Sequence, residues 1–251
     1  MKKVTPLFAA FLIFLSSCAE LQQIVNESLD SDRPLTRSEI VAGLKEALIV
    51  GTNQSVDILG NINGYYGDEA VKILLPPEAD IIVDNIGKVP GGEQLLDDVL
   101  LRINRAAEDA VSEAGPVFVS SIKSMTIQDA VGILRGSEHA ATEYLQRTTY
   151  QQLFDLYRPK IQTSLDKKLV GNVSTAQSWN ELTGRWNQAA NSIVGQVAGL
   201  EPVETNLDVY LTDKALEGLF LKIAQEEERI RENPAARVND LLRRVFGSMD
   251  N

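Results

Sequence analysis

Over residues 93–114 the apolar side chains Leu96, Val99, Leu100, Ile103, Ala107, Ala110 and Val111 recur at three- and four-residue steps. Successive residues turn by about 100° around an α-helix, so this spacing gathers them into one stripe, whereas a strand would send alternate residues to opposite faces. A helix is therefore expected here. It should stop at Gly115-Pro116, because proline has no amide hydrogen and crowds the turn before it. Pro116 should then open a second helix as its first residue, with Val117, Phe118, Ile122 and Met125 as its apolar residues.

The same period runs through most of the chain. Thr36 with Glu39 forms a capping box and Leu35 can staple onto Ile40, so a helix should begin there and carry Ile40, Val41, Leu44 and Leu48 inward. Asn63-Gly64 and Gly67 mark a loop, residues 68–75 read as a short helix halted by Pro76-Pro77, and residues 78–88 read as another before Pro90-Gly91-Gly92. Thr126 with Asp129, and Ser137 after Gly136, have the composition of N-caps. Beyond Ser137 a long helix bearing Tyr144, Leu145, Tyr150, Leu153, Phe154, Tyr157 and Ile161 is expected as far as Gly171, kinked or restarted at Pro159. Trp179, Leu182, Trp186 and Ile193 define the next helix, ending near Gly195 to Gly199. Leu216, Leu219, Phe220 and Ile223 line a helix running to Glu232. Asn233-Pro234 should then start a last one carrying Val238, Leu241, Leu242, Val245 and Phe246 and closed by Gly247. No segment keeps strand alternation with paired turns, and no fixed-period repeat emerges. The expectation is an all-α, single multi-helix domain of about nine or ten helices over residues 35–251.

The N-terminus carries a different signal. Lys2 and Lys3 precede Leu7 to Leu15, an apolar run too short to span a bilayer, and small residues follow, which is the pattern of a secretory signal peptide over residues 1–17. Leu15-Ser16-Ser17-Cys18 resembles the bacterial lipoprotein box, in which the cysteine is lipidated and becomes the new N-terminus. That resemblance implies membrane attachment through Cys18, with residues 18–34 as lipidated cysteine and tether. Ala19 stands where aspartate signals inner-membrane retention, which implies an outer-membrane lipoprotein facing the periplasm.

Cys18 is the chain's one cysteine, so the domain has no disulfide and relies on its apolar core, for which 44% hydrophobic residues suffice. Loss of Lys2 and Lys3 with the signal leaves 22 basic against 35 acidic residues, a net charge of −13. That balance argues against nucleic acid and against adsorption to anionic head groups, both of which need clustered basic charge.

Several stretches carry a family resemblance: NRAAEDAVSEAGPVF from Asn104, DAVGILRG from Asp129, AATEY from Ala140, YLTDKALEGLF from Tyr210 and EEERIRENPAAR from Glu226. Together they resemble the bacterial envelope family called domain of unknown function 4197, over about Leu35 to Gly247. The resemblance implies an exported helical protein and brings no activity with it. Residues 172–199, with both tryptophans, match its pattern least well.

The chemistry-bearing residues are few. His139 is the lone histidine, so neither a zincin His-Glu-x-x-His site nor a di-iron site with two Glu-x-x-His motifs can be written, and no metal or cofactor is expected. A Gly-x-Ser-x-Gly elbow and a phosphate-binding glycine loop are both missing from the sequence. Glu227 is the position that breaks pattern: it falls on the stripe of Leu216, Phe220, Ile223 and Ile230, aimed at the core, and needs a partner there. Arg231, Arg237 and Arg105 are candidate partners. A buried ion pair is one reading; the other makes Glu226, Glu227, Arg231, Asn233 and Arg237, with Asn104 and Arg105, a polar cluster for a small ligand or for acid/base work on a saccharide. Trp179 and Trp186 share a helical face, either as core or as an exposed aromatic surface for a partner. The expected function is a non-enzymatic, lipid-anchored envelope module that binds an envelope protein partner or supports the envelope. The alternatives are a periplasmic carrier of an apolar small molecule held between helices and, third, an envelope hydrolase using paired carboxylates.

Overall fold

A computed structural model describes residues 33–86, 92–128 and 130–250. The signal segment, Cys18, Lys88 and Asp129 lie outside the described residues. The regular structure of the described part is helical: α1 (Arg37–Leu59), α2 (Asp80–Asn85), α3 (Gly92–Ser124), α4 (Ala130–Leu134), α5 (Ala140–Asp166), α6 (Thr175–Ala190), α7 (Ile193–Val197), α8 (Leu207–Glu232) and α9 (Asp240–Gly247), with 3-10 turns at Pro77–Ala79 and Pro234–Ala236. One isolated bridge, Val170 to Val173, is the β-type pairing among these residues.

Residues Arg37–Asn251 form one compact unit. Four long helices make its core. Around the bundle α1 packs on α3, α3 on α5, α5 on α8 and α8 on α1, while the diagonal pairs touch only lightly. Their apolar stripes meet in the middle, where Leu44, Leu48, Ile103, Val111, Phe118, Leu145, Leu153, Tyr157, Leu211, Leu219 and Ile223 are buried. Small residues on α3, namely Ala106, Ala107, Ala110 and Ala114, are fully buried and let neighbouring helices come close. Larger rings also meet there: Phe118 and Phe220 lie 5.4 Å apart by ring centres, and Tyr150 stacks on Phe220 at 6.2 Å. Helices α4, α6 and α9 cover the outside, packing respectively on α1 and α5, on α3 and α5, and on α1 and α8.

The helical class expected from the pattern holds, but several boundaries move. Pro116 does not stop α3, nor Pro159 α5. Both prolines are exposed, as are Ser112 and Asp155 four residues before them, so each carbonyl that loses its donor faces water. Gly115 also offers no Cβ for the Pro116 ring to strike. Residues 68–75 are turn and extended chain instead of helix; Leu75 precedes a proline, which disfavours helical backbone, and Ile73 is held extended by a side chain of α3 described below. The described part of the segment expected as a helix over 78–88 is a 3-10 turn followed by α2. Ser137 is not the N-cap of α5; His139 occupies that position, and the helix ends at Asp166 well before Gly171. Ile193 does not extend the tryptophan helix, since α6 ends at Ala190 and Ser192 caps a separate helix, its Oγ accepting from the Gly195 amide. Asn233 caps only a 3-10 turn. The last helix starts at Asp240 under Asn239, whose side chain accepts from the Leu242 amide, and Val238 is exposed instead of core.

Helices α1 and α9 approach each other closely. A Cβ on Gly43 would sit 2.6 to 2.9 Å from the side-chain carbons of buried Val245. Gly43→Ala is therefore expected to lower unfolding free energy by roughly 1 to 3 kcal/mol through overpacking. In a double-mutant cycle followed by urea denaturation, Val245→Ala should return part of that loss.

Candidate functional site

Glu227, one turn before the C-terminus of α8, is 1% exposed at its side chain. It meets the start of α5. A helix leaves its first amides without intrahelical acceptors, and the His139 ring does not cap these: its Nδ1 lies 3.1 Å from the Ala224 carbonyl. The Glu227 carboxylate supplies the acceptors. Oε1 accepts from the Ala141 amide at 3.0 Å, and Oε2 accepts from the Thr142 amide and hydroxyl, both at 2.7 Å. Arg231, one turn along α8, donates from Nε and Nη2 to Oε1 at 2.9 and 2.7 Å. The same guanidinium donates to the Leu134 carbonyl at 2.8 Å and the Ile133 carbonyl at 3.2 Å, the last residues of α4. One ion pair thus caps two helices, negative charge at an N-terminus and positive charge at a C-terminus, as their dipoles favour. The Arg231 guanidinium also lies over Phe246 of α9, 5.5 Å from the ring centre.

Of the three candidate partners for Glu227, the structure pairs it with Arg231. Buried Arg237 turns instead to the end of α8, donating to the Ile230 and Arg231 carbonyls at 3.0 and 2.8 Å, and clasps Asp250 through two bonds of 2.5 and 2.7 Å. The bond from Arg237 holds the Asp250 carboxyl below its ordinary range. Asn233 is exposed, its Oδ1 accepting from the Ala235 amide. Glu226 is buried over Gly51 of α1 and pairs with Arg229 at 2.6 Å. Glu226, Glu227, Arg231, Asn233 and Arg237 therefore line the last turn of α8 and the link beyond it.

Asn104 and Arg105 belong to a second network, on α3. Fully buried Asn104 behaves as a strand partner for Ile73: its Oδ1 accepts from the Ile73 amide at 2.9 Å and its Nδ2 donates to the Ile73 carbonyl at 2.8 Å. Four residues on, Glu108 accepts from the Tyr65 and Tyr66 amides at 3.2 and 3.1 Å and pairs with Arg105 at 2.5 Å. Arg105 reaches on to Asn63, whose positive φ of 69° suits an asparagine in a tight turn. Tyr65 donates to the Ala215 carbonyl at 2.8 Å. Burial, aided by the charge of Glu108, pushes its hydroxyl far above the usual tyrosine range. Sequence reasoning missed Glu108 and Tyr65; the available signal was that Glu108 lies four residues beyond Asn104, on the same helical face. It also missed buried Arg102, which donates to the Val170 and Val173 carbonyls and so holds the turn before α6.

The segment pinned by Asn104 forms one wall of a half-open cleft of about 380 Å³, and α8 forms the other. Val71, Ile73 and Gly218 line it together with Tyr210, Lys214 and Leu221. Tyr210 closes one side, its hydroxyl shared between the Leu74 and Leu75 carbonyls at 3.1 and 3.2 Å. Lys214 is paired with Glu217 at 2.7 Å, a bond that raises the lysine above its ordinary range. Gly218 is required here, because a Cβ would come within 2.8 Å of the Tyr65 ring.

Trp179 and Trp186 are buried in the packing of α6, and Trp186 donates its indole N–H to the Glu201 carbonyl at 2.9 Å. The exposed aromatic face considered from their spacing is therefore replaced by core. Near the start of α5, carboxylate oxygens of Glu138, Glu228 and Glu232 lie within 4.8 Å of one another, with His139 Nε2 at 3.8 and 3.9 Å from Glu138 and Glu228. Oxygen donors of this kind suit a hard cation, and exposed carboxylates also gather without one.

A model of the family described as Protein of unknown function (DUF4197) matches residues 34–247, and the chain belongs to that family. No curated protein and no solved structure matches it.

Two substitutions separate the networks. Glu227→Ala strips the cap from α5 and leaves the largely enclosed Arg231 guanidinium, 11% exposed, without its carboxylate, so a loss of about 3 to 5 kcal/mol is expected in urea unfolding. Asn104→Ala orphans both backbone groups of buried Ile73, at roughly 1 to 3 kcal/mol for each group. Amide exchange should quicken at Ile73 while the start of α5 keeps its protection.

Proposed function

We propose that this member of the DUF4197 family is a lipid-anchored module of the bacterial envelope, held through Cys18 at the outer membrane with its helical body in the periplasm. It acts by binding a partner or supporting the envelope instead of by catalysis. The observation that carries the non-catalytic reading is how the charged cluster at the end of α8 is used. Glu227, Arg231 and Arg237 bond to backbone groups and side chains of this chain, where they join helices. A hydrolase built on Glu227 would need that carboxylate to meet solvent, and it is enclosed.

The cleft beside Tyr210 favours a second reading, a carrier for a small molecule. Its floor of Val71, Ile73 and Gly218 is apolar, and its rim offers the Lys214–Glu217 pair, a combination suited to an apolar body with a polar end. It is a half-open groove against the bundle, not a chamber between the long helices.

Attachment is the part of the proposal open to direct measurement. Cys18→Ser is expected to move the protein from the membrane fraction to the soluble periplasmic fraction, and the wild-type N-terminal peptide should carry the mass of a diacylglycerol and an acyl chain. Retention of the serine variant in membranes would overturn the anchor.

A further inference from the structure

Helix α7 points its apolar side chains outward. Ile193, Val194 and Val197 are 83%, 78% and 85% exposed, although helices of globular proteins ordinarily bury such residues on one face. The turn is well made: Ser192 caps it, the Leu200 amide donates to the Gly195 carbonyl at 3.0 Å, and Gly199 supplies the positive φ that ends it. Its surroundings are distinctive in charge. Residues 186–200 contain no Asp, Glu, Lys or Arg in a chain that is 24% charged.

We propose that α7 is a membrane-docking tip, whose Ile193, Val194 and Val197 enter the boundary between head groups and acyl chains of the leaflet that holds the lipid on Cys18. This rests on the anchor proposed above. Charge selects the occupant. The mature chain, of net charge −13, is repelled from an anionic bilayer over most of its surface, and the uncharged stretch around α7 lets it approach with less of that repulsion. Size points the same way. Three apolar residues fall far short of the roughly 20 to 30 residues a side that a stable protein interface uses, which disfavours a second copy of the chain. A tethered domain needs much less, because the anchor keeps the tip at high effective concentration beside the lipid. The 15 residues between Cys18 and Pro34 could extend to roughly 50 Å, so the tether does not dictate which face meets the leaflet.

The test uses the full lipidated mature chain, in which the Cys18 sulfur is blocked as a thioether. Val197→Cys then provides a single free thiol for an environment-sensitive fluorophore, and Glu69→Cys, at a side chain 86% exposed, serves as the control. Each labelled protein is reconstituted into vesicles of phosphatidylethanolamine and phosphatidylglycerol and floated on a density gradient. The expected result is flotation of both, with blue-shifted emission at position 197 that nitroxide-bearing lipid quenches, and water-like emission at position 69. Adding Ile193→Asn and Val194→Asn should abolish the shift while flotation persists. Flotation with water-like emission at position 197 overturns the docking tip and leaves the anchor standing; failure to float overturns the anchor and the tip together. A shift that grows with protein density and resists nitroxide lipid would mean self-association, and one seen only in native membranes would mean a protein partner. Either refutes docking to lipid.

Discussion

The Glu227 carboxylate has almost no access to water, and a charge in that position is stable only where several donors converge on it. They come from two directions, the unsatisfied amides at the start of α5 and the guanidinium of Arg231 one turn along α8. Because Arg231 also holds the last carbonyls of α4, the pair fixes where one helix ends, where the next begins, and how both lie against α8. The α5–α8 face of the bundle and the link between α4 and α5 therefore depend on one interaction. Replacing it with an apolar pair could preserve packing density, but would leave those helix termini without partners.

The same economy recurs elsewhere in the molecule. Asn104 and Glu108 on α3 take up the backbone of the 63–75 segment, Arg102 takes up the turn before α6, and Arg237 takes up the end of α8 together with Asp250. In each case a buried polar side chain, on α3 for Asn104, Glu108 and Arg102 and in the link after α8 for Arg237, satisfies backbone groups left open by a turn, an extended segment or a helix end. A protein without a disulfide can in this way hold its connections closely to an apolar bundle. The cleft beside Tyr210 is a product of the arrangement, since the wall opposite α8 stands where Asn104 holds it.

The proposed anchor and the proposed tip describe one physical situation, an acidic body tied to a surface of like charge. A lipid at the N-terminus fixes proximity but not orientation. An uncharged, apolar helix on the body would add orientation.

How far the sequence could be read follows from the range of the forces involved. Apolar spacing reports burial directly, so the helical class, the stripes of α1, α3, α5 and α8 and the anomaly at Glu227 were all visible in it. The Arg231 partner was visible too, because residues four apart on a helix are neighbours whatever the fold. Other features depend on segments distant in the chain. Pro116 and Pro159 stay inside helices because the affected carbonyls face solvent, Ile73 is held in extended chain because Asn104 lies opposite, and α5 starts at Ala140 because a carboxylate 86 residues beyond Ala141 caps it. The sequence by itself determined which residues must be buried and in which kind of element, since periodicity is a local property. Only the tertiary structure decided where those elements begin and end and which polar groups meet, since a helix end is stabilised by whatever the rest of the fold brings to it.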